Sequence, residues 1–61
     1  MPLITVEALE GRTTEQKRGL AKDITEAVMK NFNVGADAVT IIIHEFPEEN
    51  LAKSGKLKID W

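Results

Sequence analysis

Val39-Thr40-Ile41-Ile42-Ile43-His44-Glu45-Phe46-Pro47 is the stretch on which the fold turns. Its four β-branched apolar residues, Val39, Ile41, Ile42 and Ile43, favour a pleated strand. Pro47 ends the strand, because proline cannot donate to the ladder. The apolar residues do not alternate with polar ones, so both faces are expected to be covered.

Upstream, Asn33 and Gly35 stop a helix. Within that helix Leu20, Ile24, Ala27, Val28 and Phe32 recur at the spacing of one buried stripe, which makes Leu20 and Phe32 expected core residues. Thr13 and Gln16 have the spacing of a capping box, so the helix is expected to begin there. Before it, Leu3 to Leu9 alternates, with Ile4, Val6 and Ala8 on one face and Leu3, Thr5, Glu7 and Leu9 on the other. Downstream, Ser54-Gly55 marks a turn, with Lys56 to Ile59 as a short strand. The expected class is therefore α+β: one domain over residues 1–61, built β-α-β with a short C-terminal hairpin or strand. A crossover of this length joins two parallel strands right-handedly.

Two parallel strands make a poor sheet alone. A chain of 61 residues buries only about 60% of the surface its unfolded form exposes. Small folds usually add disulfides, a metal or partner subunits. There is no Cys, and His44 is the only histidine, so a disulfide framework and a zinc-type cluster are both excluded. Self-association remains. Two copies side by side would give a four-stranded sheet with two helices on one face, and the open apolar face asks for further assembly.

The formal net charge of −2 is modest, with Lys and Glu interspersed. No basic stripe suits nucleic acid, and the few aromatics make no stacking platform. No stretch approaches the roughly 20 apolar residues of a membrane span. Met1-Pro2-Leu3-Ile4-Thr5 has no charged leader, so a cytoplasmic location is expected.

Two residues invite chemistry. Met-Pro is by itself a common start, but removal of Met1 would leave Pro2 with a free secondary amine. α-Amino groups titrate close to neutral pH, and apolar surroundings or nearby cations make them less basic. Such a base could move protons next to a carbonyl. Arg12 stands in a Gly-Arg turn just before a helix N-terminus, where a guanidinium can take a carboxylate. Strand one separates them by more than 20 Å at about 3.3 Å per residue. They can share a substrate only if a neighbouring subunit supplies one of them.

Pro2-Leu3-Ile4, Leu9-Glu10-Gly11-Arg12-Thr13-Thr14-Glu15-Gln16-Lys17 and Val39-Thr40-Ile41-Ile42-Ile43-His44-Glu45 together resemble the 4-oxalocrotonate tautomerase family. The resemblance spans essentially the whole chain. It implies a hexamer built as a trimer of dimers, and enol–keto tautomerisation of 2-oxo acids without metal or cofactor. Pro2 would be the general base, and Arg12 of an adjacent subunit would hold a carboxylate or carbonyl. The setting it implies is aromatic catabolism, with 2-hydroxymuconate-like or phenylpyruvate-like substrates.

The chain departs from the family at two positions. Members that isomerise dicarboxylates carry a second arginine where Thr40 stands, and an aromatic where Leu51 stands. Thr40 cannot form a bidentate charged pair. Three readings follow: a monocarboxylate or apolar 2-oxo acid as substrate, Lys53 or Lys56 as replacement cation, or a paralogue supplying the arginine in a hetero-oligomer. A non-catalytic assembly protein, and a hydratase or dehalogenase of unsaturated acids, are the alternative functions. A histidine can change charge near neutral pH, but His44 is read as structural or surface-facing. Glu45 is read as a strand-end or interface group, and Trp61 as packing on a neighbouring subunit.

Overall fold

A computed structural model describes residues 1–61. Strand β1 spans Leu3–Leu9, helix α1 Thr14–Phe32, strand β2 Thr40–Phe46, and a hairpin pairs β3, Ala52–Lys53, with β4, Lys56–Leu57. Single 3-10 turns lie at Ala36–Ala38, Glu48–Asn50 and Lys58–Asp60. β1 and β2 run parallel with Leu3 opposite Thr40, Val6 opposite Ile43 and Leu9 opposite Phe46. The β-α-β outline expected from the sequence is the one observed.

Local chemistry accounts for the boundaries. The Gln16 N–H donates to the Thr13 hydroxyl at 3.1 Å, and the Thr13 N–H donates to the Gln16 side chain at 2.8 Å. That reciprocal box satisfies two of the N–H groups a helix start leaves free. Asn33 closes the helix in the left-handed conformation, φ 55°, which asparagine tolerates better than most residues. Val39 is not part of β2. Its N–H donates to the Ala36 carbonyl at 3.1 Å, closing a turn instead of entering the ladder. The Lys56–Ile59 strand also shortens: it stops at Leu57, where the chain turns into Lys58–Asp60. Ser54 and Gly55 both have positive φ, 55° and 79°, as a two-residue type I′ hairpin requires.

The helix covers one face of the β1–β2 sheet. Ile4, Val6, Ala8, Ile41, Ile43 and Glu45 are half-buried beneath it, against Lys17, Ala21, Ile24, Thr25, Val28 and Met29. Leu20 and Phe32 are not core residues of the chain: they are 40% and 65% exposed. The inward stripe is rotated toward Lys17 and Ala21, which leaves Leu20 at its margin. The far face of the sheet is open, with Leu3 and Ile42 exposed, so only one face of β2 is covered within the chain.

No residue is fully buried. The accessible surface is 4779 Å², against about 4,000 Å² for a folded monomer of this mass. The radius of gyration is 14.8 Å, against about 10.5 Å for a compact chain of this length. The excess, about 800 Å², is what one partner of an ordinary protein interface buries.

Candidate active site

Pro2 stands immediately before β1, and its carbonyl accepts a hydrogen bond from the Thr40 N–H at 3.0 Å. That bond extends the parallel ladder by one step and fixes the backbone around Pro2. Pro2 is half-buried, in phase with Ile4, Val6 and Ala8, which puts it on the helix side of the sheet. Met1 is 91% exposed. While Met1 is attached, the Pro2 nitrogen is a tertiary amide with no basic lone pair.

Arg12 lies at the opposite end, in the exposed link between β1 and α1. Gly11, at φ +117°, makes the turn there in a conformation that L side chains rarely adopt. Arg12 makes no ion pair with any carboxylate of its own chain. Beside it is a concavity of about 270 Å³, lined by an apolar floor of Val6, Ala8, Leu20 and Ile43 and a polar rim of Arg12, Gln16, Lys17 and Glu45. An apolar basin with a few convergent polar groups is the usual form of a small-molecule site. Pro2 of the same chain does not line it.

The seven residues of β1 keep Pro2 and Arg12 about 20 Å or more apart. The sequence-read residues thus form two groups. Pro2 and Thr40 meet at the start of the sheet. Arg12 lies at its far end, and from that end the C-terminal arm with Leu51 and Lys53 departs, because β2 runs parallel to β1 and the Glu10 N–H donates to the Phe46 carbonyl at 2.9 Å. Lys53 is exposed on the β3–β4 hairpin, and Leu51 is half-buried at its base.

Three rim residues were not singled out for chemistry from the sequence. Lys17 forms an ion pair with Glu45 across the mouth of the concavity, tying the first turns of α1 to β2. Gln16 caps the helix. The signal was there in the helical period, since Lys17, Ala21, Ile24 and Val28 lie on one face. His44 accepts or donates a hydrogen bond at Nδ1 with Glu7 Oε1 at 2.8 Å, on the open face of the sheet, with both side chains more than half exposed. It is surface-facing, as expected. Trp61 is 59% exposed, and its Nε1–H donates to the Lys56 carbonyl at 3.1 Å.

Comparison with known proteins bears directly on this arrangement. The family described as "Tautomerase enzyme" matches residues 2–60. A probable tautomerase of Bradyrhizobium diazoefficiens is 52% identical over 60 residues, covering 98% of this chain and 90% of the relative. A 2-hydroxymuconate tautomerase of Bacillus subtilis is 41% identical over 56 residues, covering 92% of this chain and 90% of the relative. The structure of a heterohexamer 4-oxalocrotonate tautomerase from Chloroflexus aurantiacus superposes with a TM-score of 0.89 at 35% identity, covering 98% of this chain and 97% of that one. No helix of the chain is long and apolar enough to cross a membrane.

Proposed function

Since the chain belongs to the tautomerase family, we propose that it is an isomerase moving a proton between the enol and keto forms of a 2-oxo acid, with the amine of Pro2 as general base. The single observation that carries this reading is the placement of Pro2: half-buried, on the helix side, its backbone held by Thr40. Once Met1 is removed, the amine would sit at a fixed point at the edge of an apolar sheet face, where surroundings of that kind hold a base close to neutrality.

The reaction is an isomerisation, so no atom is gained or lost. The amine takes the enol O–H proton, the carbonyl forms, and the electron pair of the C=C bond moves to carbon. The same proton then returns to that carbon, at C3 or, along a conjugated diene, at C5. The developing negative charge on the oxygen and carboxylate needs a cation, and Arg12 is proposed for it.

Arg12 must come from another copy. Where two β1–β2 sheets meet about a two-fold axis with their strands antiparallel, the start of one β1 faces the end of the other. Pro2 of one copy then approaches the apolar basin and Arg12 of its neighbour. The sheet edges are free for such pairing, and the excess surface is of the right size. A homohexamer, or a hetero-oligomer with a paralogue, would complete the covering of the open face. Thr40 is proposed to line the Pro2 side of the pocket, and Leu51 and Lys53 the Arg12 side. The reaction needs no cofactor or metal, and the cytoplasm is the proposed location.

The test uses untagged protein whose N-terminus has been established by mass spectrometry. Ketonisation of 2-hydroxymuconate and of the enol of phenylpyruvate is followed by ultraviolet absorbance, beside Pro2→Ala. Turnover in wild type and its loss in Pro2→Ala support the base. Equal, slow rates in both would instead identify a non-catalytic assembly protein.

A further inference from the structure

The basin beside Arg12 carries three charged side chains, and two of them cancel. Arg12, Lys17 and Glu45 stand on its rim, above an apolar floor that includes Val6 and Ile43. Lys17 is tied to Glu45, and Arg12 has no ion pair. Of the chain's three ion pairs the Lys17–Glu45 tie is the least exposed, with side chains 36% and 22% exposed. Water therefore screens it least. Its partners belong to different elements, α1 and β2, so the tie also spans the mouth. Glu45 lies opposite Ala8 in the β1–β2 register and in phase with Ile43, which places it on the helix side of the sheet, at the edge of the floor.

This balance of charge decides what the basin can hold. A carboxylate gains most from a cation that no other group neutralises. Arg12 is the one such cation on the rim, and its planar fork suits a single carboxylate. To take a second carboxylate, Lys17 would have to leave Glu45. Glu45 would then be a largely buried carboxylate without its partner, which is costly. A second anion laid on the apolar floor would also lose hydration with nothing to replace it. An apolar tail meets the opposite condition, because the floor gains by its burial.

We propose that Glu45 sets the substrate preference of this site. By occupying Lys17 it limits the basin to one carboxylate, held by Arg12, and turns the chain toward monocarboxylic 2-oxo acids with an apolar substituent. Glu45 acts through Lys17, so it is a positioning residue with no part in the proton transfer. The preference rests on the Pro2 reading above for the reaction it serves, but binding tests it without turnover.

Two non-reacting ligands, trans,trans-muconate and sorbate, differ only in a carboxylate replacing a methyl group. Calorimetry measures their affinities for the assembled protein. Wild type should bind sorbate at least about tenfold tighter than muconate, the scale of one uncompensated charge on an apolar surface. Glu45→Gln frees Lys17 and should move the ratio at least about tenfold toward muconate. Lys17→Gln/Glu45→Gln removes the freed cation as well and should return the ratio toward sorbate. Mere loss of a structural tie would affect those two variants alike. Lys17→Gln leaves Glu45 unpaired and should deepen the preference for sorbate, a second test if Glu45→Gln fails to assemble. Arg12→Ala should weaken both ligands, which ties them to this basin. In turnover, Glu45→Gln should lower KM for 2-hydroxymuconate relative to that for the enol of phenylpyruvate. A wild type that does not prefer sorbate, a ratio unmoved by Glu45→Gln, equal ratios in Glu45→Gln and the double variant, or affinities indifferent to Arg12→Ala overturns the assignment of Glu45. Pro2→Ala separates the two readings: it must lose turnover yet keep the sorbate preference, and retained turnover overturns the base while leaving the binding result to stand.

Discussion

The Thr40 N–H reaches the Pro2 carbonyl at 3.0 Å, so the first residue that could carry a free amine is held by the first residue of β2. Without that bond the start of β1 would be a loose end, and a base in a loose end has no fixed distance to its substrate. The sheet edge and the proposed catalytic group are one construction.

Altering or blocking the amine is the sharpest test of it. Pro2→Ala leaves a primary amine in a less constrained backbone, and protein that retains Met1 has no amine at that point at all. The first should lower kcat/KM by about a hundredfold or more, the scale of general-base catalysis. The second should be inactive. Steady-state kinetics on samples whose N-terminus is read by mass spectrometry checks both.

Arg12→Ala should lower kcat/KM by about ten- to a hundredfold, the value of a charge-assisted hydrogen bond. Its fold should be untouched, since Arg12 is exposed and has no ion pair. The informative measurement is mixing. Refolding Arg12→Ala together with Pro2→Ala places an intact Pro2 against an intact Arg12 in some of the sites, and activity should return above either variant alone. Simple additivity of the two impaired preparations would overturn the shared site.

Thr13→Ala removes the hydroxyl that accepts from the Gln16 N–H at the N-terminus of α1, and leaves the Thr13 N–H to the Gln16 side chain. The expected loss is about 1 kcal/mol, a fall of several degrees in the melting temperature for a domain of this size. Thermal unfolding followed by circular dichroism at fixed chain concentration checks it. Thr13→Ser should restore most of the loss.

Leu3→Asp or Ile42→Asp puts a charge on the open face of the sheet, where both side chains are now exposed. In an isolated chain either change would be nearly neutral. In a copy whose face is covered by another, it buries an unpaired carboxylate, which costs several kcal/mol. Sedimentation or light scattering should show smaller assemblies for both variants, with lower helicity at equal concentration.

The elements were legible in the sequence where local chemistry decides them. The alternation of Leu3–Leu9 and the Thr13/Gln16 spacing set the start of β1 and of α1, and Asn33 its end. The C-terminal arm was less legible, because the conformation of Ser54-Gly55 fixes the turn but not where β4 stops. Leu20 and Phe32 differ from the sequence expectation for a physical reason: the helix turns Lys17 and Ala21 toward the sheet and leaves Leu20 at the margin. Hydrophobic periodicity records all the surfaces a helix buries in its final assembly, not those within one chain. The candidate site divided along the same line. Pro2 and Arg12 stand out as residue types, but the Lys17–Glu45 tie depends on register between distant segments, which no single stretch displays.

That no residue of the chain is fully buried has a bearing on dosage. If neighbours complete its interior, as in the assembly proposed above, encounter and folding are coupled in time. Dilution then acts on it as urea acts on a larger domain, and newly made chains are open to proteases until their numbers suffice. Output should rise more steeply than expression at low abundance and only proportionally above it, giving the cell a threshold from stoichiometry alone.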